Sequence, residues 1–341
     1  MGARPQFVKL APLHLAFKRV ASHIIVHTGQ HWDDAMSARF FKELKLPTPD
    51  VHLGVRGGGH AIPTGRMLIA MARVFDEIKP DWILVYGDTT STLAGALAGA
   101  QGGFRVAHVE AGLRSFLKDQ PEERNRLIAD RLSDLRFCPN RTAMANLAAE
   151  GMTSGNKLVG DPMHEALALQ WPRARRQKRV TSIDPFLFCT LHRAENTDDV
   201  SRMKAFVALL SELPDHVVMP LHPRTRKALR QHGLWRSLNA IKHVETCEPM
   251  GYLETLKHIE CAKAVLTDSG GVQREAAWLG TPCLTLRPVT EWTDLVDQGH
   301  NTLVDLSIRK TLSALKHQRP VRKLKATGRT SEKIINILRN S

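Results

Sequence analysis

The residues best suited to chemistry sit where apolar runs end. In the first half of the chain, Tyr86-Gly87-Asp88-Thr89 closes one run and Val109-Glu110-Ala111-Gly112 closes another, while Pro121-Glu122-Glu123 opens a helical stretch. Asp88 is also a plausible helix cap. Glu110 has no capping signature, which favours a carboxylate facing a ligand. Glu122 and Glu123 suit the positive end of a helix, and Arg126 lies one turn beyond Glu122. Three carboxylates at neighbouring strand and helix ends are raw material for moving a proton on and off carbon. The second half is richer in cations and glycine. His192, Arg193, Glu195 and Asn196 follow one run, and His222, Pro223 and Arg224 follow the next. Asp268-Ser269-Gly270-Gly271 then leads into a helix. Glycines let an anion approach the backbone, and free N–H groups at a helix start bind phosphate. A plain tight turn is the competing reading. Glu275, one turn in, is placed to accept hydrogen bonds from ribose hydroxyls.

Other chemistries lack their signatures. The histidines and acids show no compact spacing such as HExxH, so no metal is expected. Neither GxGxxG nor GxxxxGK[ST] occurs, so no nicotinamide or other cofactor is expected. Arg56-Gly57-Gly58-Gly59-His60 reads as a mobile loop, or as one lying near the ligand.

The elements that must position these groups follow a βαβ rhythm. Strand-like runs lie at 22–29, 81–88, 104–112, 134–140, 156–161, 185–193, 215–223, 242–249, 263–270 and 281–288, and most are continuously apolar, not alternating. That marks strands of parallel sheets buried on both faces. Helical periodicity lies between them, clearest at 64–79 and 271–280. In such sheets ligands bind beyond the C-terminal strand ends, where the polar clusters fall. Trp171, Pro172 and the basic run Arg173 to Arg179 break the rhythm. The reading is therefore an N-terminal domain over 1–170, a second over 171–325, and a helix over 326–341 that could pack back on the first. The N-terminal domain opens on a loop and helix, so its first strand is apparently absent.

The composition agrees. With 341 residues and 43% hydrophobic content, the chain can build two cores of about 150 residues each. No apolar run approaches a bilayer crossing, no leader is evident, and five scattered cysteines suit a reducing compartment. The expectation is a cytoplasmic protein without membrane partners. Cys189, Cys261 and Cys283 read as core. The net charge of +14 raises nucleic acid as a partner, but the Arg173 to Arg179 run has no interleaved aromatics. It reads as an exposed linker, and no nucleic-acid partner is expected.

Taken together, GARPQFVKLAPL, HTGQHWDDAM, YGDTTST, VEAGLRS, PEERNR, LHRAEN, LHPRT, TDSGGVQREAAWLGTP and TEW resemble the non-hydrolysing UDP-N-acetylglucosamine 2-epimerase family, in family order. The resemblance implies an α/β fold of two Rossmann-like domains facing a central cleft, like the GT-B glycosyltransferases. It implies interconversion of UDP-GlcNAc and UDP-ManNAc by a homodimer, through anti elimination of UDP to 2-acetamidoglucal and syn re-addition. Asp88, Glu110 and Glu122 match the family's catalytic acids, and His192 matches the histidine at the departing diphosphate. Arg4, Ser269 and Gly270 match its phosphate contacts, and Glu275 its ribose contact. Lys9, Gln30, His31, Arg126, His222, Arg287 and Glu291 match further substrate-binding positions.

Some motifs depart from the pattern. Thr290-Glu291-Trp292 stands where GlcNAc enzymes usually carry a TERPE-like segment, and Gly2-Ala3-Arg4-Pro5-Gln6 where many carry GTRPE. Both are more like relatives acting on UDP-2,3-diacetamido-glucuronate. Ala61-Ile62-Pro63-Thr64 is unlike the HGEQT-like run of those relatives. Arg274 replaces a common Glu and reads as a surface or cleft-rim change.

Overall fold

The computed structural model describes residues 1–18, 20–29, 34–57, 59–317, 321–324 and 328–341, with the side chains of 34–37 excepted. Contacts divide the chain into unit 1, Met1–Leu169 with Ala326–Ser341, and unit 2, Gln170–Lys325.

Unit 1 begins with α1 (Arg4–Phe17), β1 (Val26–His27), α2 (Asp34–Leu44) and β2 (Val51–His52). It continues with α3 (Ala61–Ile78), β3 (Ile83–Tyr86), α4 (Thr90–Gln101) and β4 (Val106–Val109). α5 (Pro121–Leu132), β5 (Leu135–Cys138), α6 (Arg141–Ala149), β6 (Asn156–Leu158) and α7 (Pro162–Ala174) complete the run. The strands form a parallel sheet in the order β3-β4-β5-β6 and a separate parallel pair β1-β2. β4 and β5 are buried throughout, as their continuous apolar runs require.

Unit 2 is one parallel sheet in the order β12-β11-β10-β7-β8-β9. Its elements are β7 (Phe186–Thr190), α8 (Ala194–Thr197), α9 (Val200–Ser211), β8 (His216–Pro220), α10 (Pro223–Gln231), α11 (Trp235–Asn239) and β9 (Val244–Cys247). Then come α12 (Tyr252–Cys261), β10 (Ala264–Thr267), α13 (Gly270–Leu279), β11 (Cys283–Thr285), α14 (Thr293–Asp297), β12 (Asn301–Leu303) and α15 (Ile308–Lys316). Leu187, Phe206, Val217, Leu266 and Leu284 belong to its core. Both units are α/β with parallel sheets of Rossmann type. Cys189 and Cys283 are buried, whereas Cys261 is only half-buried.

The last helix, α16 (Thr330–Arg339), belongs to unit 1. Ile334, Ile335 and Leu338 share a core with Leu10, Leu13 and Phe17 of α1. Glu165 accepts hydrogen bonds from the Ser331 backbone at 2.8 Å and hydroxyl at 2.6 Å, which fixes the start of α16.

Trp171 and Pro172, at the expected boundary, lie within α7, which runs through both to Ala174. Pro172 lies in the last turn, where the helix has only two residues left to lose. The run at 22–29 yields a strand of only Val26–His27. Among the described residues no helix is long and apolar enough to cross a membrane.

His27 packs against Phe7 and His52 at ring separations of 5.4 and 4.8 Å, and burial pulls its pKa down to about 4. Burial, then neighbouring His14, does the same to His23. Both are neutral in the fold, whereas an unfolded histidine titrates near 6.5. The unfolded state therefore binds more protons below that value. Stability is complete above about pH 6.5 and declines as pH falls towards 4, with His27 alone contributing on the order of 2–3 kcal/mol. Urea midpoints at pH 7.5 and 5 check this: the midpoint drops, and His27→Phe shrinks the drop.

Candidate functional site

In unit 1 the site is built at the C-terminal ends of β3 and β4. Glu110 follows β4 with φ of 74°, a left-handed conformation that a β-carbon disfavours. The residue is buried, and its Oε1 accepts from Lys9 Nζ at 2.8 Å, a pair only 3% and 7% exposed. Lys9 comes from α1, so the first helix carries the counter-ion for the strand-end acid. Gly87, after β3, leaves the room for this pair. A β-carbon there would lie 3.1 Å from Lys9 Nζ and 3.3 Å from Glu110 Oε1, at a φ of 62°.

Asp88 follows Gly87 in sequence and is held from α5. Arg126 Nη2 donates to Asp88 Oδ2, and Asn125 Nδ2 donates to the Asp88 carbonyl at 2.8 Å. The other end of Arg126 reaches Glu123 at 2.6 Å. Glu123 in turn accepts from the Ser115 backbone and hydroxyl, both at 2.9 Å, and from Phe116 N at 3.0 Å. Of the two acids opening α5, Glu123 is thus buried and holds the 115–116 turn, while Glu122 is half-buried. Arg4 begins α1 with its guanidinium 5.6 Å from the Phe40 ring. Gln30 and His31 lie outside the described residues.

Beneath the strand ends lies a network that sequence reasoning did not single out. His108 Nε2 lies 2.7 Å from the Gly87 carbonyl, and its Nδ1 lies 2.7 Å from Asp130. Asp130 also accepts from Arg114 Nη1 at 2.7 Å and from Gly112 N at 3.2 Å. Arg114 grips Glu150 with Nε at 2.6 Å and Nη2 at 2.8 Å, the bidentate geometry that favours arginine over lysine. Burial pushes the Asp130 carboxyl up, but the opposing charges of His108 and Arg114 outweigh it and hold it below the ordinary range. The network ties the residues around Asp88 and Glu110 to α5 and the end of α6.

In unit 2 the polar centre is Asp268, which is fully buried after β10. It accepts from His192 N at 3.0 Å, Arg193 N at 2.9 Å and Asn196 Nδ2 at 3.0 Å. Its other oxygen lies 3.3 Å from His192 Nδ1, so the carboxylate sets both the turn and the ring. The His192 ring sits 5.2 Å from that of His222, which caps α10 by accepting from Arg224 N at 3.1 Å. α13 starts at Gly270 with Ser269 as its cap, leaving first-turn N–H groups that face outward from the helix end. Glu275, in that helix, is buried.

Arg287 is fully buried between Glu195 at 2.7 Å and Glu291 at 2.9 Å. Burial opposes its charge, but the two carboxylates outweigh that and raise its pKa. Arg193 approaches the same Glu291 at 3.5 Å. Arg287 and Glu291 thus form a buried frame beside the α13 start. Of the two readings of Arg274, surface or cleft rim, the surface one falls: the residue is buried, with its guanidinium 4.0 Å from the Trp292 ring. Among the described residues, no group of three or more His, Cys, Asp or Glu side chains is arranged to hold a metal ion.

A β-carbon on Gly270 would lie 2.5 Å from Glu291 Oε1 and 3.1 Å from Trp292 Nε1. Gly270→Ala should therefore displace the frame at the α13 start and destabilise the chain by about 1–3 kcal/mol, the usual cost of overpacking. Thermal unfolding checks this, with far-UV dichroism before the transition expected to remain unchanged.

A family model described as UDP-N-acetylglucosamine 2-epimerase matches residues 15–339. The chain belongs to the UDP-N-acetylglucosamine 2-epimerase family. Within it the chain sits in the non-hydrolysing group, near the UDP-diacetamido-glucuronate 2-epimerases. A Methanococcus maripaludis protein named UDP-N-acetylglucosamine 2-epimerase homolog is 41% identical, over 100% of this chain and 98% of its own. A Pseudomonas aeruginosa UDP-2,3-diacetamido-2,3-dideoxy-D-glucuronate 2-epimerase is 46% identical over 89% of this chain and 86% of its own. The crystal structure of the Methanocaldococcus jannaschii UDP-GlcNAc 2-epimerase in complex with UDP-GlcNAc and UDP has a TM-score of 0.95 at 37% identity, covering 100% of this chain and 98% of that one.

Within this epimerase framework, sequence reasoning placed Asp268, Glu123 and Arg193 in its strand-end and helix-start motifs without giving them a ligand role, and it missed the His108–Asp130–Arg114 network.

Proposed function

We propose that this epimerase inverts C2 of UDP-GlcNAc to give UDP-ManNAc by eliminating UDP and adding it back. In the forward half, a carboxylate takes the C2 proton, the C–H electron pair becomes the C1–C2 double bond, and the C1–O pair leaves with UDP. In the return half, a proton is delivered to C2 on the opposite face, and a UDP oxygen re-forms the bond to C1. The C2 proton is weakly acidic, so its removal becomes feasible when diphosphate departs and its charge is met by preorganised donors.

The observation that carries this reading is the cation fixed to each strand-end acid of unit 1: Lys9 on Glu110 and Arg126 on Asp88. Asp88, Glu110 and Glu122 act on C2 and the glucal intermediate. In unit 2, the first-turn amides at Ser269 and Gly270 and the Asp268-oriented His192 receive the diphosphate, with Arg4 from α1 as a further phosphate contact. Glu275 holds the ribose. His222, Arg287 and Glu291 keep these groups in place. The family resemblance supports a working homodimer, which light scattering tests.

A second reading has its own support. The Trp292–Arg274 stack stands where the sequence departs from the GlcNAc pattern, and the Pseudomonas relative is named for the diacetamido-glucuronate. In it the same inversion acts on a 3-acetamido uronate. Chromatography of the UDP-sugars after incubation with each substrate decides between the two. Equal or higher kcat/KM on UDP-GlcNAc supports the first reading. A preference for the uronate of about a hundredfold or more would establish the second, because a site built for an extra polar group rejects the analogue lacking it.

A further inference from the structure

Asp88 is held at its backbone as well as at its carboxylate. The Gly87 carbonyl lies 2.7 Å from His108 Nε2, and the Asp88 carbonyl accepts from Asn125 Nδ2 at 2.8 Å. These two carbonyls belong to the peptide groups on either side of the Asp88 α-carbon. Each peptide group is planar, so fixing both sets the Asp88 backbone angles and the direction in which its side chain leaves. Gly87 takes up the arrangement at a φ of 62°, with its own N–H donating to the Val109 carbonyl at 2.9 Å. Both holding groups trace back to α5. Asn125 belongs to that helix, and His108 reaches it through Asp130, whose Oδ1 lies 2.7 Å from the ring Nδ1.

The protons on His108 follow from its partners. A carbonyl oxygen only accepts, so Nε2 donates to Gly87. Asp130 gives its other oxygen to two donors, Arg114 Nη1 at 2.7 Å and Gly112 N at 3.2 Å. Beside that guanidinium Asp130 is a carboxylate with no proton to give, so Nδ1 donates as well. The ring is fully buried, and bulk water competes for neither bond. Along the hydrogen-bonded chain Glu150–Arg114–Asp130–His108, two carboxylates then alternate with two cations, which offsets the cost of burying them.

We propose that His108, donating from both ring nitrogens, is a positioning residue for Asp88, tying the Gly87–Asp88 peptide to α5 through Asp130. This role rests on Asp88 being an acid at C2, as proposed above. Without the bond to Gly87, one of the two peptide planes beside Asp88 is free to turn. An acid misplaced by about 1 Å costs on the order of 10²-fold in rate.

The experiment compares the full chain with His108→Leu, which keeps no donor for the Gly87 carbonyl, and His108→Gln, which restores a neutral one. Both variants lose stability, because a buried partner is left unsatisfied. Rates are therefore compared per folded protein, below both unfolding transitions. His108→Leu is expected to lower kcat by about 10²-fold with KM within about threefold, the pattern of an interaction needed in the transition state alone. His108→Gln is expected to recover about tenfold of that loss. In the parent chain with ring-15N histidine, proton–nitrogen correlation at the assay pH is expected to show bonded protons on both nitrogens of one ring. Those two signals vanish in His108→Gln. A folded His108→Leu with kcat within about threefold of the parent would overturn the positioning role, as would a loss of kcat/KM carried entirely by KM. A His108 ring nitrogen without a bonded proton would overturn the double donation, and that readout stands even if His108→Leu does not fold. A parent chain that binds UDP but inverts neither UDP-GlcNAc nor the 3-acetamido uronate would remove the chemistry of Asp88 and this role with it, while the ring's two protons would still be seen.

Discussion

Glu110→Gln is expected to lower turnover by 10²–10⁴-fold, the usual worth of a positioned acid or base, in a chain that stays folded at the assay temperature but loses several degrees of Tm because buried Lys9 loses its opposing charge. The substitution is chosen for its shape. A glutamine oxygen can still accept from Lys9 Nζ, which now lies 2.8 Å from Glu110 Oε1. The backbone conformation at φ 74° is no worse for Gln than for Glu. What is lost is the capacity to take and return a proton. A purely structural Glu110 would show the loss of stability alone, with turnover of the folded protein kept. The assay is initial rate of epimer formation alongside thermal unfolding, and turnover within threefold of the parent chain would remove Glu110 from the chemistry.

Arg114→Met is expected to destabilise unit 1 by about 3–5 kcal/mol, the cost of removing one partner from a buried ion pair. Arg114 is 1% exposed in its side chain and neutralises Asp130, which is fully buried, and Glu150. Methionine fills part of the volume and leaves both carboxylates without their shared cation. Asp130 keeps His108, whose far nitrogen lies 2.7 Å from the Gly87 carbonyl, so the disturbance extends towards Asp88. Tm should fall by about 10 °C or more. Arg124, exposed and 3.6 Å from exposed Asp119, is the control, and Arg124→Ala should have no measurable effect on Tm. Equal unfolding of the two variants would show that the network carries no stability.

Much of this site was legible in the sequence because its parts are local. A buried parallel strand is a continuous apolar run, and its end is marked by a change to Gly, Asp, Glu or His, as at Gly87-Asp88 and Asp268-Ser269. A helix start with Ser269 as cap and two glycines is likewise a local pattern. What could not be read were the partnerships. Arg114 and Glu150 are 36 residues apart, and Lys9 and Glu110 are 101 apart. Only the folded sheet brings such pairs together. The same holds for Arg274, whose charge suggested a surface but whose guanidinium packs on Trp292. At Pro172 the local rule was sound, but a helix in its final turn tolerates the lost hydrogen bond. In the run at 22–29 the apolar pattern marked a strand, yet only two residues meet a neighbour in ladder geometry.

The most direct test of the central claim is proton NMR of the purified chain with UDP-GlcNAc in D2O. The expected result is UDP-ManNAc carrying deuterium at C2, with deuterium also entering C2 of the recovered UDP-GlcNAc. A folded, UDP-binding sample that forms the epimer while keeping the original C2 proton would contradict elimination and re-addition, and one that leaves both sugar and label unchanged would contradict UDP-GlcNAc as the substrate.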